Sequence, residues 1–345
     1  MIANGTSQRI ALGALICAAM VVAIHVCAGE VPRGSFVWWW DQIGHYGVFL
    51  VAVPFFFVCS GFFLGRHCGE IGWWPRECLK RVRSLLLPYL IWSAVFAIIG
   101  VGASVVASLA HGRDAWAGLP TGWSHWLRVI GIYPFDYPLL VPLWYVRSLL
   151  VFVVLSPLLV KSIKLFGGVF LFAIWFSAFL CSVFLSPGAA FEFVDKFLRL
   201  DGLFYFCCGL FFSSSRNVPY PSRFVSGVFL VIGLSVVLIK SYVGFAYGWQ
   251  NDNMARLFFV PPILIGMWAL LPVADMPTWV SRLSFPVYLL HIPILYVGGL
   301  AFHFRPECLS GWFFKYAFAI LVSVLINFLL RRLVPMVANV VFGGR

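Results

Sequence analysis

The chain has 345 residues, of which 62% are hydrophobic and 10% charged, with a mean hydropathy of +0.97; this balance excludes a soluble globular domain and predicts an all-α, polytopic integral membrane protein. A formal net charge of +12 would suit a nucleic-acid binder. The basic residues, however, fall in short breaks between apolar runs, which argues for topology signals and anionic headgroups and against nucleic acid as a partner.

Runs of roughly 17 to 25 apolar residues, enough to cross about 30 Å of hydrocarbon, recur from end to end, and about ten spans are expected. They lie near 10–28, 43–65, 85–109, 139–160, 168–187, 201–214, 224–247, 256–273, 284–303 and 313–333. The first apolar run, Ile10 to Cys27, carries His25 close to its end. No small-residue cleavage pattern follows it and a second run begins soon after, so it is expected to be a retained helix and not a cleaved signal. From Arg9 to His25 an α-helix rises about 24 Å, which puts His25 near the opposite surface from Arg9. An imidazole there can take a proton from an arriving hydroxyl. The same histidine could equally be satisfied by a backbone carbonyl or an interfacial water.

Trp38, Trp39 and Trp40 suit an interfacial aromatic belt. The second span holds VPFFFVCSGFFLGR, Val53 to Arg66, in which Pro54, Ser60 and Gly61 are expected to interrupt an aromatic helix. The small Ser60-Gly61 pair lets either a neighbouring helix or a ligand approach the backbone. The stretch RECLKRVRSLLLPYLIW, Arg76 to Trp92, then sets Lys80, Arg81 and Arg83 at the entrance of a Pro-containing apolar helix. Such a cluster either holds phosphates or signals topology. The longest break, Ala110 to Pro138, is too short for a soluble domain, so residues 1–345 are expected to form a single membrane domain.

In PLWYVRSLLVFVVLSPLL, Pro142 to Leu159, Arg147 falls a few residues inside a span. A guanidinium at that depth faces a cavity or partner, or snorkels to the interface. The next four runs carry no motif, and 201–214 is short. In SFPVYLLHIPILY, Ser284 to Tyr296, Tyr288 and His291 are three residues apart and share a helix face and a network.

With the N-terminus in the cytoplasm, most of the 24 basic residues fall inside and most of the 12 acidic ones outside, the positive-inside pattern. The nine cysteines lie mostly in apolar runs without CxxC spacing and read as packing residues, although Cys68 and Cys78 flank a loop. No HExxH, GxSxG or phosphate-cradling glycine loop occurs, and no metal site is expected.

In order and spacing, these segments resemble the acyltransferase 3 family of membrane-embedded O-acyltransferases over most of the chain. The matching pieces are a first-helix histidine, here His25, and FFxxSGFxL, here Phe56 to Leu64. A basic run ending in LLPY follows, here Leu86 to Tyr89, then LWY/F-x-R-x-L, here Leu143 to Leu149, and YLLH, here Tyr288 to His291. The resemblance implies transfer of an acyl group, most often acetyl, from cytoplasmic acyl-CoA to a hydroxyl of an extracytoplasmic or lipid-linked glycan. It implies His25 as catalytic base, and Lys80, Arg81, Arg83, Ser60, Trp144, Tyr145, Arg147, Tyr288 and His291 as acyl-CoA or substrate contacts. It also implies a multi-pass protein of the bacterial cytoplasmic (inner) membrane with both termini cytoplasmic. The chain departs from the family pattern at Ala14, where members commonly carry arginine, and at Val53 and Pro54, where an acidic residue often stands. Two other readings are compatible with the residues: a transporter or flippase whose path His25, Arg147 and His291 line, with helices broken at Pro54 and Pro286, and a non-catalytic ligand sensor.

Overall fold

A computed structural model describes residues 4–26, 31–110, 122–129, 131–134, 136–185, 188–213, 221–248, 252–273, 275–302 and 308–344. Cys27 and residues 111–121, 130 and 135 of the Ala110–Pro138 connection lie outside the described residues. In chain order the helices are α1 (Asn4–Ile24), α2 (Phe36–Ile43), α3 (Ala52–Gly65), α4 (Trp73–Arg81), α5 (Leu87–Ala110), α6 (Trp123–Val129), α7 (Leu143–Phe166) and α8 (Gly168–Phe184). They continue with α9 (Ala189–Glu192), α10 (Leu200–Ser213), α11 (Arg223–Tyr247), α12 (Asp252–Leu270), α13 (Thr278–Ser281), α14 (Ser284–Phe302), α15 (Leu309–Leu333) and α16 (Pro335–Val341). Among the described residues no strand forms.

Each expected run contains a helix, but among the described residues 7 segments are long and apolar enough to cross a membrane, with Gly168–Phe184 and Ser284–Gly299 apolar and shorter. The remaining run is α10, only 14 residues long. The expectation of about ten spans is therefore met at seven. The shortfall at α10 has a visible cause, because the helix starts immediately after Arg199, which turns the chain in the left-handed region at φ 48.

Proline acts differently from expectation. Pro54 and Pro286 occupy the first turns of α3 and α14, where a missing N–H leaves no carbonyl unsatisfied. Ser60 and Gly61 lie inside an unbroken α3, so neither VPFFFVCSG nor SFPVYLLH is a broken helix. The prolines that do fall within helices are Pro157, Pro261, Pro262 and Pro293. In the LLPY segment, Pro88 is preceded by a π-helical turn, Val82–Leu86. That turn contains Ser84, the residue whose carbonyl a proline ring at 88 would meet in a regular α-helix.

The centre is built on α3 and α10. A β-carbon added at Gly61 would sit 2.0 Å from the Phe206 carbonyl oxygen, and one added at Gly209 would sit 2.0 Å from that of Val58. The two backbones are thus in direct contact, the small-residue packing that helices use where lipid supplies no hydrophobic drive between them. Phe57, Phe152 and Phe206 from α3, α7 and α10 fill the centre, with ring centroids 5.4 and 5.5 Å apart in sequence. Outward, α8, α11 and α15 expose large apolar side chains such as Phe172, Val231 and Leu321. That surface suits lipid contact.

Gly61→Val and Gly209→Val are expected to force the α3–α10 crossing apart and lower stability by about 1–3 kcal/mol. Gly69→Ala, with nothing within 4 Å of its new carbon, serves as control. Apparent melting temperatures of detergent-solubilised protein check this: a drop for the first two and none for the control.

Candidate active site

Two cavities with charged groups in their linings lie along α1. One, of 180 Å³, opens around His25 and is walled by Val53, Pro54 and Phe57 of α3, Trp144 of α7, and Asp201 and Tyr205 of α10. The other, of 390 Å³, lies toward the N-terminal half of α1 at Ile10 and Ala14, and is walled by Phe56, Cys59 and Ser60 of α3 with Lys80 and Arg81 of α4. Tyr145 and Tyr288 border both. A third cavity of 550 Å³, lined almost wholly by apolar groups, meets the cationic cavity at Ile10 and Cys59 and the histidine cavity at Tyr205.

Adjacent residues on α3 face different cavities because each helical step turns the side chain by about 100°. Ser60 Oγ lies 3.2 Å from Tyr145 Oη, and the Tyr288 hydroxyl donates to the Pro142 carbonyl. Behind His25, at the end of α1, stands His291 of α14, with ring centroids 5.0 Å apart. His291 is fully buried; its Nδ1 is 3.2 Å from the Val287 carbonyl, which makes Nδ1 the donor and leaves Nε2 the acceptor. Nε2 has no hydrogen-bond partner among the described residues.

The histidine cavity also contains charged groups from helices far apart in sequence. Arg199 Nη2 bonds Asp201 Oδ2 at 2.8 Å, and Arg256 Nη2 approaches the same oxygen at 3.2 Å. The Arg199 guanidinium carbon stands 4.3 Å above the Trp144 ring. With Tyr137 and Tyr205 these groups line the cavity beside His25. Sequence reasoning missed Arg199, Asp201, Arg256, Tyr137 and Tyr205. A signal existed in LRLDG at the mouth of an unusually short run, too short to leave Arg199 and Asp201 at the interface.

The sequence-singled residues divide clearly. His25, Trp144, Tyr145 and Tyr288 line the histidine cavity, and Ser60, Lys80, Arg81, Tyr145 and Tyr288 the cationic one. Lys80 and Arg81 each lie 3.4 Å from a carboxylate oxygen of Glu77, so one buried carboxylate holds two cations at the mouth. Arg83 is exposed and lines neither cavity, and Ala14 lines the cationic one, whereas Arg9 does not.

Arg147, 5% exposed, borders neither cavity. Its Nη1 donates to the carbonyls of Gly131, Tyr133 and Asp136, and its Nη2 to that of Lys196 at 2.8 Å. Tyr89 of LLPY donates to the same Gly131 carbonyl at 2.6 Å. Arg147 and Tyr89 therefore fasten the segment that carries Tyr137 into the cavity. On the same side Lys196 bridges Glu192 at 2.5 Å and Asp136 at 3.6 Å, and the hydrogen bond to Glu192 holds its ammonium pKa above the ordinary value. Among the described residues no group of three or more His, Cys, Asp or Glu is placed to hold a metal ion.

Comparison with known proteins matches residues 15–332 to acyltransferase 3, a family described as an acyltransferase domain. The chain is also 26% identical over 366 residues to the succinoglycan biosynthesis protein ExoH of Rhizobium meliloti (strain 1021), an alignment that covers 98% of this chain and 92% of that protein. No solved structure matches.

Asp201→Asn leaves two guanidinium groups around a neutral amide in the cavity lining. It is expected to cost about 3–5 kcal/mol, the range for breaking a buried pair on one side. The double variant Arg199→Met/Asp201→Leu is expected to lose less than the sum of its two single changes, as coupled neighbours do. Thermal midpoints in detergent of the wild type, Asp201→Asn, Arg199→Met, Asp201→Leu and the double variant check both statements.

Proposed function

The chain belongs to the acyltransferase 3 family and is a membrane-bound acyltransferase, and from that premise we propose that it moves an acyl group, acetyl foremost, from a coenzyme A thioester in the cationic cavity to a hydroxyl of a glycan in the histidine cavity. The observation that carries this reading is the shared border: Tyr145 and Tyr288 wall both cavities, so thioester and hydroxyl can meet with neither carrier crossing. Lys80 and Arg81 suit the phosphates of the donor. Trp144, Tyr137, Arg199 and Asp201 suit a polyhydroxyl acceptor, offering an aromatic face beside charged donors and acceptors. ExoH is by name a succinoglycan biosynthesis protein; by analogy we take the acceptor here to be a polysaccharide or its lipid-linked precursor.

The chemistry follows from these placements. The imidazole of His25 takes the proton of the acceptor hydroxyl as its oxygen attacks the thioester carbon. A C–O bond forms, the C–S bond breaks, and the departing thiolate recovers the proton from His25, so the products are an ester and free thiol. Negative charge develops on the carbonyl oxygen at the junction, where the Tyr145 hydroxyl is the donor we assign to it. His291 fixes the His25 ring from behind and serves as a positioning residue. Arg147 acts one step further away, through the segment bearing Tyr137. We place the cationic cavity on the cytoplasmic side of the bacterial inner membrane, with both termini cytoplasmic, on the positive-inside distribution. A transporter reading loses its main structural support, since Pro54 and Pro286 begin helices and do not break them.

Membranes containing the wild type are expected to transfer label from acetyl-CoA into extractable glycan, and His25→Ala to lower that rate by about 10²–10⁴-fold. A rate unchanged in His25→Ala, with protein of equal amount and monodispersity, would sink the assignment. Lys80→Glu/Arg81→Glu is expected to raise the KM for the thioester with little change in the KM for the glycan; the reverse pattern would exchange the two cavities.

A further inference from the structure

We infer that Tyr145 and Tyr288 set the length of the acyl group transferred; the inference rests on the acyl-transfer reading of the same two cavities. They are the only side chains common to the linings of the two cavities among the described residues. Their rings meet edge to face at 77° with centroids 5.9 Å apart, and both are buried.

Each ring is fastened. Tyr145 is held by Ser60 at 3.2 Å and packs on the rings of Phe57 and Phe56 at 4.7 and 6.1 Å. Tyr288 donates to the Pro142 carbonyl and stacks on Phe285 at 6.2 Å and 16°. Neither ring can swing aside without giving up a buried hydrogen bond and its aromatic packing. In this reading the pair therefore frames a fixed aperture at the border of the two cavities and not a compliant one.

The thioester carbon has to reach this aperture from the cationic cavity, because the attacking oxygen comes from the His25 side. The carbons beyond the carbonyl then lie against the two rings. The histidine cavity, at 180 Å³, offers them little room once an acceptor occupies it. Close-packed walls respond to single methylenes, so such an aperture discriminates by chain length. Acetyl and other short acyl groups fit, and longer chains meet the rings.

The test compares transfer rates from acetyl-CoA, butanoyl-CoA and octanoyl-CoA in the wild type, Tyr145→Ala, Tyr288→Ala and Tyr145→Phe. The wild type is expected to disfavour octanoyl against acetyl by about tenfold or more. Either alanine variant is expected to shrink that ratio by a similar factor, whatever its absolute rate. Tyr145→Phe keeps the ring and is expected to keep the wild-type ratio. Should an alanine variant fail to fold, Tyr145→Leu and Tyr288→Leu are read in the same way. Wild-type transfer with a ratio that no enlarged variant alters overturns the aperture alone. Transfer of octanoyl as fast as acetyl by the wild type does the same, and so does a shift in Tyr145→Phe equal to that in Tyr145→Ala. No transfer from any donor by the folded wild type overturns the acyl-transfer reading along with it.

Discussion

The direct backbone contact of α3 with α10, Gly61 against the Phe206 carbonyl and Gly209 against that of Val58, is the constraint on which the remaining architecture rests. In lipid, helices associate through close packing and internal hydrogen bonds because the surrounding tails are as apolar as their own side chains. Bringing these two backbones together makes α3 a septum. Its successive residues point to opposite sides, Phe57 to the histidine cavity and Phe56 and Ser60 to the cationic one. The same contact holds Asp201 and Tyr205 of α10 within one cavity lining with His25 of α1.

A second consequence of the bilayer is that each buried charge must find its partner inside the protein. The chain meets this in two ways. Arg199 and Arg256 share one carboxylate, Asp201, and Arg199 lies over Trp144. Arg147 instead places its Nη1 and Nη2 donors on four carbonyls of the connecting segments. The first arrangement faces a cavity and is available to a ligand. The second binds loops together and is consumed by them. Two buried arginines of similar exposure thus take different parts, and what separates them is whether the acceptor is a side chain at a cavity or the backbone of a turn.

Much of the candidate site was legible before any coordinates. His25, Ser60 and Tyr288 stand out as polar groups inside apolar runs, Trp144 and Tyr145 only through the family resemblance, and all five line a cavity. The locations of the apolar helices were legible for the same reason. Arg199, Asp201 and Arg256 were not, because they sit where a helix begins and look like ordinary boundary charges until α10 and α12 are packed together. Arg147 was legible as unusual but not as a loop fastener, since its acceptors are carbonyls, which every residue type carries. Arg83 belongs to the same cluster of cations as Arg81 by sequence, yet the π-helical turn beginning at Val82 leaves it exposed and away from the cavity. The described residues show seven full spans and not about ten because composition marks α8 and α10 as apolar without revealing how early their ends are fixed, while α14 is a helix of 19 residues.

The tyrosine pair has one further consequence, electrical in kind. A membrane that stores energy holds about 2.3 kcal/mol for each unit charge across 100 mV, and any file of water joining its two faces lets protons spend that energy. Here a cavity bearing Lys80 and Arg81 and another bearing His25 and Arg199 approach from opposite ends of α1 and share a border at Tyr145 and Tyr288. Widening that border by one ring would enlarge the opening beside a titratable imidazole. Under the proposed placement of the two cavities, the two buried rings would also limit any such file of water, and resistance to proton leak would constrain how far this junction can be widened in any relative that evolves to handle larger groups.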